Sequence, residues 1–192
     1  MINPIKKLPK VIKTKRLEMR QLDATPENAK LVFNAVKNEN PDDFYFNPIA
    51  KNAVPKTASE MLKKMQQEDE YSKSTGANYY IFHNNKLIGY RRFHFFDDAT
   101  KTLQMSIVWL VHSAWGNGFA KETSDKIEEI AFNTLGAHRI TRQCSTGNVR
   151  SANSIKSSGF HLDGVSRQGG LYPDNKIYDV MFWSKLKSEY KK

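Results

Sequence analysis

Two glycines spaced by one residue, Gly116 and Gly118, stand between a strand-like run ending at Val111 and a helix-like run beginning near Lys121. A helix N-terminus carries unpaired N–H groups and a partial positive charge. Glycines just ahead of it let an anion approach the backbone closely. The segment Gly116-Asn117-Gly118-Phe119-Ala120 therefore has the parts of a phosphate cradle. Read alone, it serves equally well as a plain strand-to-helix turn. Two familiar phosphate loops do not fit it. A P-loop needs Gly-Lys-Ser/Thr entering the helix, but Phe119-Ala120-Lys121-Glu122 follows Gly118. A dinucleotide fingerprint needs a third glycine and an early parallel βαβ unit. Here Lys121 takes the place of that glycine, and three strand-like runs precede the loop.

Metal chemistry finds no support in the spacing. The five histidines, His83, His94, His112, His138 and His161, form neither an HxxxH nor an HExxH pair. The single cysteine, Cys144, has no Cys or His at ligand spacing and reads as a strand residue facing the interior. One cysteine makes no internal disulfide and fits a reducing cytoplasm.

The elements that would position the loop follow from periodicity and punctuation. Leu17 to Leu22 alternates as a half-buried strand. Thr25-Pro26-Glu27 opens a helix with Thr25 as cap and Pro26 at the first position, and Leu31, Val32, Ala35 and Val36 form its apolar stripe. Residues Asn38 to Pro55 hold Pro41, Pro48, Pro55 and the cluster Phe44-Tyr45-Phe46, and read as a loop that either lines a cleft or folds back on the core. Thr57-Ala58-Ser59-Glu60 has capping-box spacing for a helix to about Tyr71. A meander follows: Tyr79 to Phe82, a turn at Asn84-Asn85, Leu87 to Phe96, a turn at Asp97 to Thr100, and Leu103 to Val111. Beyond the loop come a helix from Lys121 to Leu135 closed by Gly136, a strand from Arg139 to Cys144, a short helix from Ser151 to Ser158 ended by Gly159, and strands Phe160 to Val165 and Ile177 to Lys185. The order β, α, α, β-β-β, α, β, α, β, β predicts an α/β (α+β) fold with a mixed, mostly antiparallel sheet.

The 192 residues fit one domain, 1–192, with 1–13 as a basic N-terminal extension. A 39% hydrophobic and 26% charged composition fits a soluble globular chain. No stretch approaches the roughly 20 apolar residues of a membrane span, and Met1 to Lys15 lacks the apolar region of a secretory signal. The net charge of +10 is spread along the chain, which reads as a solvated surface and argues against a nucleic-acid partner.

Taken in order, Trp109-Leu110, Gly116-Asn117-Gly118-Phe119-Ala120 and Glu122 resemble the acetyl-CoA-binding motif of GNAT acetyltransferases. Leu135-Gly136-Ala137-His138-Arg139-Ile140, Asn148-Val149-Arg150-Ser151, Gly159-Phe160, Leu162 to Val165, Tyr178-Asp179-Val180 and Thr14 to Leu17 are similar to the RimJ/RimL branch, whose members acetylate ribosomal-protein N-termini. The resemblance implies the GNAT fold, with a splayed strand pair in the central sheet, flanking helices and acetyl-CoA as cosubstrate. It implies that Val108, Trp109 and Leu110 bond the pantetheine arm. Gly116, Asn117, Gly118, Phe119, Ala120 and Lys121 would hold the diphosphate through their amides, with Asn148 beside the cofactor. Ser151 would be the catalytic hydroxyl that protonates the leaving thiolate. The acceptor it implies is a primary amine on a protein N-terminus or a small molecule, and a homodimer is compatible with it.

The chain departs from that pattern at three places. Trp115 stands where the family has Gln or Arg. Met105-Ser106-Ile107-Val108-Trp109 lacks the acidic residue of the corresponding strand, and Gly169-Gly170 lacks a second carboxylate. His112, Asp179, Tyr178 and His138 remain as weak candidate bases, behind a surface place for His112, a turn brace or Arg partner for Asp179 and structural roles for the other two; a water chain, or an acceptor amine already low in pKa, is the further route. A second function class, a degenerate CoA-binding or protein-interaction module, follows from the same departures. Acceptor choice is expected to reside in Asn38 to Gly76 and in a loop from Ser166 to Lys176.

Overall fold

The structure is a computed structural model that describes residues 8–40, 43, 55–97, 99–172 and 174–190, with only the backbone of 71–75, 93–96 and 106–108. Most of the proline- and aromatic-rich segment expected to form a loop, including Pro41, Phe44-Tyr45-Phe46 and Pro48, lies outside the described residues.

Eight strands form one sheet in the order β1-β2-β3-β4-β5-β6-β8-β7. They are β1 (Val11–Lys13), β2 (Leu17–Arg20), β3 (Gly76–His83), β4 (Lys86–Asp97), β5 (Thr102–Leu110), β6 (Arg139–Ser145), β7 (His161–Leu171) and β8 (Ile177–Leu186). All neighbours are antiparallel except β5 and β6. Among the described residues the α-helices are α1 (Pro26–Val36), α2 (Ala58–Thr75), α3 (Phe119–Asn133) and α4 (Val149–Ser157). The mixed sheet is the one expected from the element order.

The helices split the core in two. On one face, Ala29, Val32, Val36, Met61 and Met65 of α1 and α2 pack on Tyr80, Phe82 and Leu87. On the other, α3 sets Phe119, Ile127, Ala131 and Phe132 against Met19, Tyr79, Ile81, Leu103 and Ile140. Each fully buried side chain of this size contributes about 1.5–3 kcal/mol. Thr25 caps α1 by accepting from the Asn28 amide, with Pro26 at the first position, as expected. The Asn84-Asn85 turn has φ of 49° and 60°, the left-handed pair that asparagine tolerates.

Several boundaries differ from the sequence reading. α2 runs four residues past Tyr71 to Thr75, because its polar C-terminal half carries no periodic stripe to mark its end. α4 starts at Val149, since Asn148 rather than Ser151 is the cap. β7 continues through Leu171, so the expected Ser166 to Lys176 loop is largely strand. A bulge between Ser166 and Gly170 is pinned where the Gln168 amide donates to Asp179 Oδ1 at 2.7 Å, and a turn at Tyr172 to Lys176 leads into β8. Within the basic N-terminal stretch, Val11–Lys13 pairs with β2 and Ile12 is buried.

The row of α3 one step round from its apolar stripe is polar, and it is buried all the same. Glu128 Oε2 accepts from Lys185 Nζ of β8 at 2.7 Å, and Lys185 also reaches the Ser158 carbonyl. Burial raises the Glu128 pKa, against the pull of Lys185. Removing one partner of a buried pair leaves an uncompensated charge and costs about 3–5 kcal/mol. Lys185→Met is thus expected to lower unfolding stability by about 3 kcal/mol, and adding Glu128→Leu should recover much of it. Urea titrations of both variants check this.

Candidate active site

β5 and β6 pair over only three residues each, Thr102 to Gln104 with Arg139 to Thr141. Beyond that the two strands separate while still running in the same direction. The cause lies on the other side of β5. Opposite β4, Arg91 pairs with Val108 but Phe93 pairs with Met105, which leaves one extra residue on β5. Such a bulge bends its strand. β5 follows β4 to its end, where the Val111 amide still donates to the Ile88 carbonyl. β6 instead keeps its register with β8 along its full length. The result is a split that opens toward the C-terminal ends of two parallel strands, where α/β folds place ligands.

Both helices that follow these strands begin at the open end. α3 starts after Gly118, and α4 after Asn148. Gly116 and Gly118 have φ of 75° and 74°, a region costly for any residue with a Cβ. The backbone bend turns a run of six amides, residues 116–121, away from protein acceptors: none of them donates to a described group, and the first helical bond is from Glu122 N to the Gly118 carbonyl. Unpaired amides at a helix start form an anion site.

The charges around the amides are arranged to favour an anion. Arg91, fully buried beneath the first turn of α3, donates from Nη2 to the Ala120 carbonyl at 3.2 Å and to Ser124 Oγ at 2.9 Å. Burial, and then the charge of Arg142, pulls its pKa down to about 9, which leaves it cationic at neutral pH. Glu122 would repel a phosphate, but it is turned to the β1–β2 connection. It accepts from the Thr14 hydroxyl, the Arg16 amide at 2.7 Å and Arg16 Nε at 2.7 Å. Arg16 also lies over the Phe119 ring at 4.6 Å, and Phe119 itself is buried in the core.

The residues expected to contact the cofactor fall around the split in distinct ways. Val108, Trp109 and Leu110 form the stretch of β5 that has parted from β6. The Leu110 carbonyl is already engaged, accepting from Trp115 Nε1 at 2.9 Å. Gly116, Asn117, Gly118, Phe119, Ala120 and Lys121 supply the free amides, and the Asn117 side chain bonds the Trp115 carbonyl at 3.0 Å. Asn148 caps α4 on the opposite lip, with Oδ1 accepting from the Ser151 amide at 3.0 Å. Ser151 neighbours Cys144, whose thiol is half-buried on β6. Burial raises the pKa of the Cys144 thiol, and its polar neighbours Trp183 and Ser151 oppose that rise.

The base candidates separate as well. His138 precedes β6, at the closed end of the split, with its amide bonded to Lys101. Asp179 braces the β7 bulge. Tyr178 stacks on Tyr172 at 4.2 Å, and burial raises its pKa. His112 lies at the open end, exposed, with Nδ1 3.0 Å from Asp43 Oδ2 and its ring 4.4 Å from Trp115. A further polar cluster escaped the sequence reading. Opposite the β5 bulge, on the α1/α2 face, the Tyr90 hydroxyl lies 2.8 Å from Asn78 Oδ1 and 3.1 Å from Glu68 Oε2. Arg92 donates from Nε to Asn78 Oδ1 at 3.0 Å. Tyr90 and Arg92 share a strand face, which alternation alone reveals; Glu68 joins them only through the packing of α2. Such a cluster supplies a proton acceptor or a partner for an amine on that side of the sheet.

The sequence pattern of the GNAT acetyltransferase domain matches residues 16–161, and the chain belongs to this family. Its class of activity is therefore acetyl transfer from acetyl-CoA. The uncharacterized N-acetyltransferase YoaA of Bacillus subtilis is 26% identical over 179 residues, covering 92% of this chain and 97% of YoaA. Two solved structures share the fold. RimL, a ribosomal L7/L12 alpha-N-protein acetyltransferase in complex with coenzyme A, superposes with a TM-score of 0.80 at 18% identity, over 92% of this chain and 97% of its own. MccE, a microcin C7 self-immunity acetyltransferase with acetyl-CoA and AMP, does so with a TM-score of 0.79 at 21% identity, over 93% and 97%. Among the described residues no helix is long and apolar enough to cross a membrane.

The Glu122 tether is testable by acid. Burial would raise this carboxyl, but the bonds from Thr14 and Arg16 and the Arg16 charge outweigh it and hold the pKa below the usual value. A depressed carboxylate stabilises the fold above its unfolded pKa, and that contribution is lost as pH falls through the folded value. The wild-type chain should therefore exceed Glu122→Gln in stability at about pH 6 and lose that margin by about pH 3. Thermal midpoints across that range measure it.

Proposed function

We propose that the chain transfers the acetyl group of acetyl-CoA to a primary amine, on a protein N-terminus or a small molecule, by direct attack of the amine on the thioester. The observation that carries this reading is the run of free amides at residues 116–121, set at the mouth of the β5–β6 split. The fit of residues to cofactor is chemical. The amides and the α3 dipole suit a diphosphate. The unpaired stretch of β5 suits an extended arm bearing amide groups, which can add to the strand edge.

In this reading the split holds the thioester against β5, and a backbone N–H of that strand stabilises the developing oxyanion. The incoming amine is neutral. Its nitrogen forms the C–N bond as the C–S bond breaks, and its proton passes to water. Ser151, at the start of α4, gives its hydroxyl proton to the departing thiolate and takes one back from the water that received the amine's proton. In the RimL complex the coenzyme A is disulfide-bonded to a cysteine. This chain's single cysteine, Cys144, neighbours Ser151, which supports a place for the cofactor sulfur near that hydroxyl. Most of the rate gain comes from holding amine and thioester together. Asn148 acts from the same lip, with its side-chain oxygen committed to the helix cap. The reading needs no metal. It supplies no nucleic-acid partner, fits a cytoplasmic enzyme, and leaves room for a homodimer.

The test is release of free thiol from acetyl-CoA with a panel of small amines and of peptides varied at the first residue. At least one amine should release thiol in step with its own acetylation, and Ser151→Ala should lower kcat by about tenfold or more with KM for acetyl-CoA little changed. CoA alone at a hundredfold its Kd should raise the melting temperature by about 5 °C or more. A melting shift with no turnover on any amine would favour the non-catalytic binding module instead.

A further inference from the structure

Besides Arg91, buried beneath the first turn of α3, three cations border the free amides, and two of them are already neutralised. Arg16 comes within 3.7 Å of the position a Cβ on Gly118 would take, but it is paired with Glu122 at 2.7 Å. Lys121 is held by Asp125, one turn along α3, at 2.7 Å. Arg150 is different. It is the second residue of α4, on the lip of the split that faces the loop, and it is exposed. Its guanidinium carbon lies 3.8 Å from the Trp115 ring centroid. Among the described residues no carboxylate pairs with it.

The Trp115 ring is fixed in place. Its indole nitrogen donates to the Leu110 carbonyl at 2.9 Å, and its ring packs on His112 at 4.4 Å. His112 is anchored in turn by Glu39, which accepts from its amide at 2.6 Å, and by Asp43. A guanidinium on an aromatic face keeps all its N–H groups directed outward in the ring plane, free for an anion. The contact therefore bridges the two lips at the level of the free amides: the loop lip provides the platform, the α4 lip the cation. The amides alone contribute no full charge, and a diphosphate carries two.

We propose that Arg150 is a binding residue for the diphosphate of acetyl-CoA, and that Trp115 is its positioning residue. The arginine reaches across the open end of the split and contacts the phosphates from the side opposite the amides of residues 116–121. This rests on the acetyl-CoA reading above.

Calorimetric titration of the full chain with CoA and with 3′-dephospho-CoA, at low and high salt, separates the two. If the wild-type chain binds neither ligand, the acetyl-CoA reading itself fails. If it binds, Arg150→Ala is expected to weaken both ligands by a similar factor, about tenfold or more, and to flatten the salt dependence of binding. Arg150→Lys should restore part of the loss, since it returns the charge without the planar fork. Trp115→Leu should weaken binding on its own, and should add little in the Arg150→Ala background. Unchanged affinity and salt slope in Arg150→Ala would overturn the proposal. So would a loss seen with CoA but not with the dephospho form, which would move the contact to the 3′-phosphate. Arg150 is exposed, so its variants should melt with the wild type, and a circular dichroism melt checks that the change is in binding.

Discussion

Everything at the site follows from one failure of pairing. β5 and β6 are adjacent parallel strands that stop hydrogen-bonding after three residues, because a bulged β5 stays with β4 while β6 stays with β8. A continuous sheet would bury those edges. The split exposes them, and it aims the starts of α3 and α4 at one opening. Backbone groups left unpaired in an interior cost free energy, so an edge of this kind persists where a ligand or water completes it. The chemistry of the site is thus largely a property of the main chain, which explains how the usual carboxylates can be missing while the architecture is kept.

The charge pattern around the opening is consistent with that main-chain role. Arg91 spends its guanidinium on the first turn of α3 from below, at the cost of burying a cation. Glu122 is in the first turn, where an acidic residue favours the helix start, yet it is bound to Thr14 and Arg16 and so faces the β1–β2 connection instead of the opening. The same helix carries Glu128 to its partner Lys185 on β8. α3 is therefore tied to three separate strands or connections by polar bonds as well as by its apolar stripe. That rigid seating holds six amides in a fixed array.

The legible parts of the sequence were those governed by local rules. Gly116 and Gly118 could be read because positive φ calls for glycine; Thr25-Pro26 and Asn84-Asn85 could be read for the same kind of reason. The order of elements and the mixed sheet came from periodicity. What stayed hidden depends on long-range register. The β5 bulge has no composition signature, and without it the split cannot be located. β7 beyond Val165 alternates poorly, because it is an exposed edge strand whose length is set by β8. Arg16 and Glu122 are 106 residues apart, and Glu68 and Tyr90 meet only when α2 docks on β4. Trp115 reads in the sequence as the loss of a polar group. The structure shows it as the platform for Arg150, a contact no spacing rule would suggest.

The central claim is that the amides of residues 116–121 are an anion site awaiting two linked phosphates. The most direct measurement is a 15N-resolved NMR titration of the backbone amides with CoA. The account predicts that the largest downfield shifts fall on Gly116 to Lys121, with smaller ones along Val108 to Leu110 and at the start of α4. Saturable binding with those six amides unmoved, and the shifts gathered elsewhere on the molecule, would contradict it.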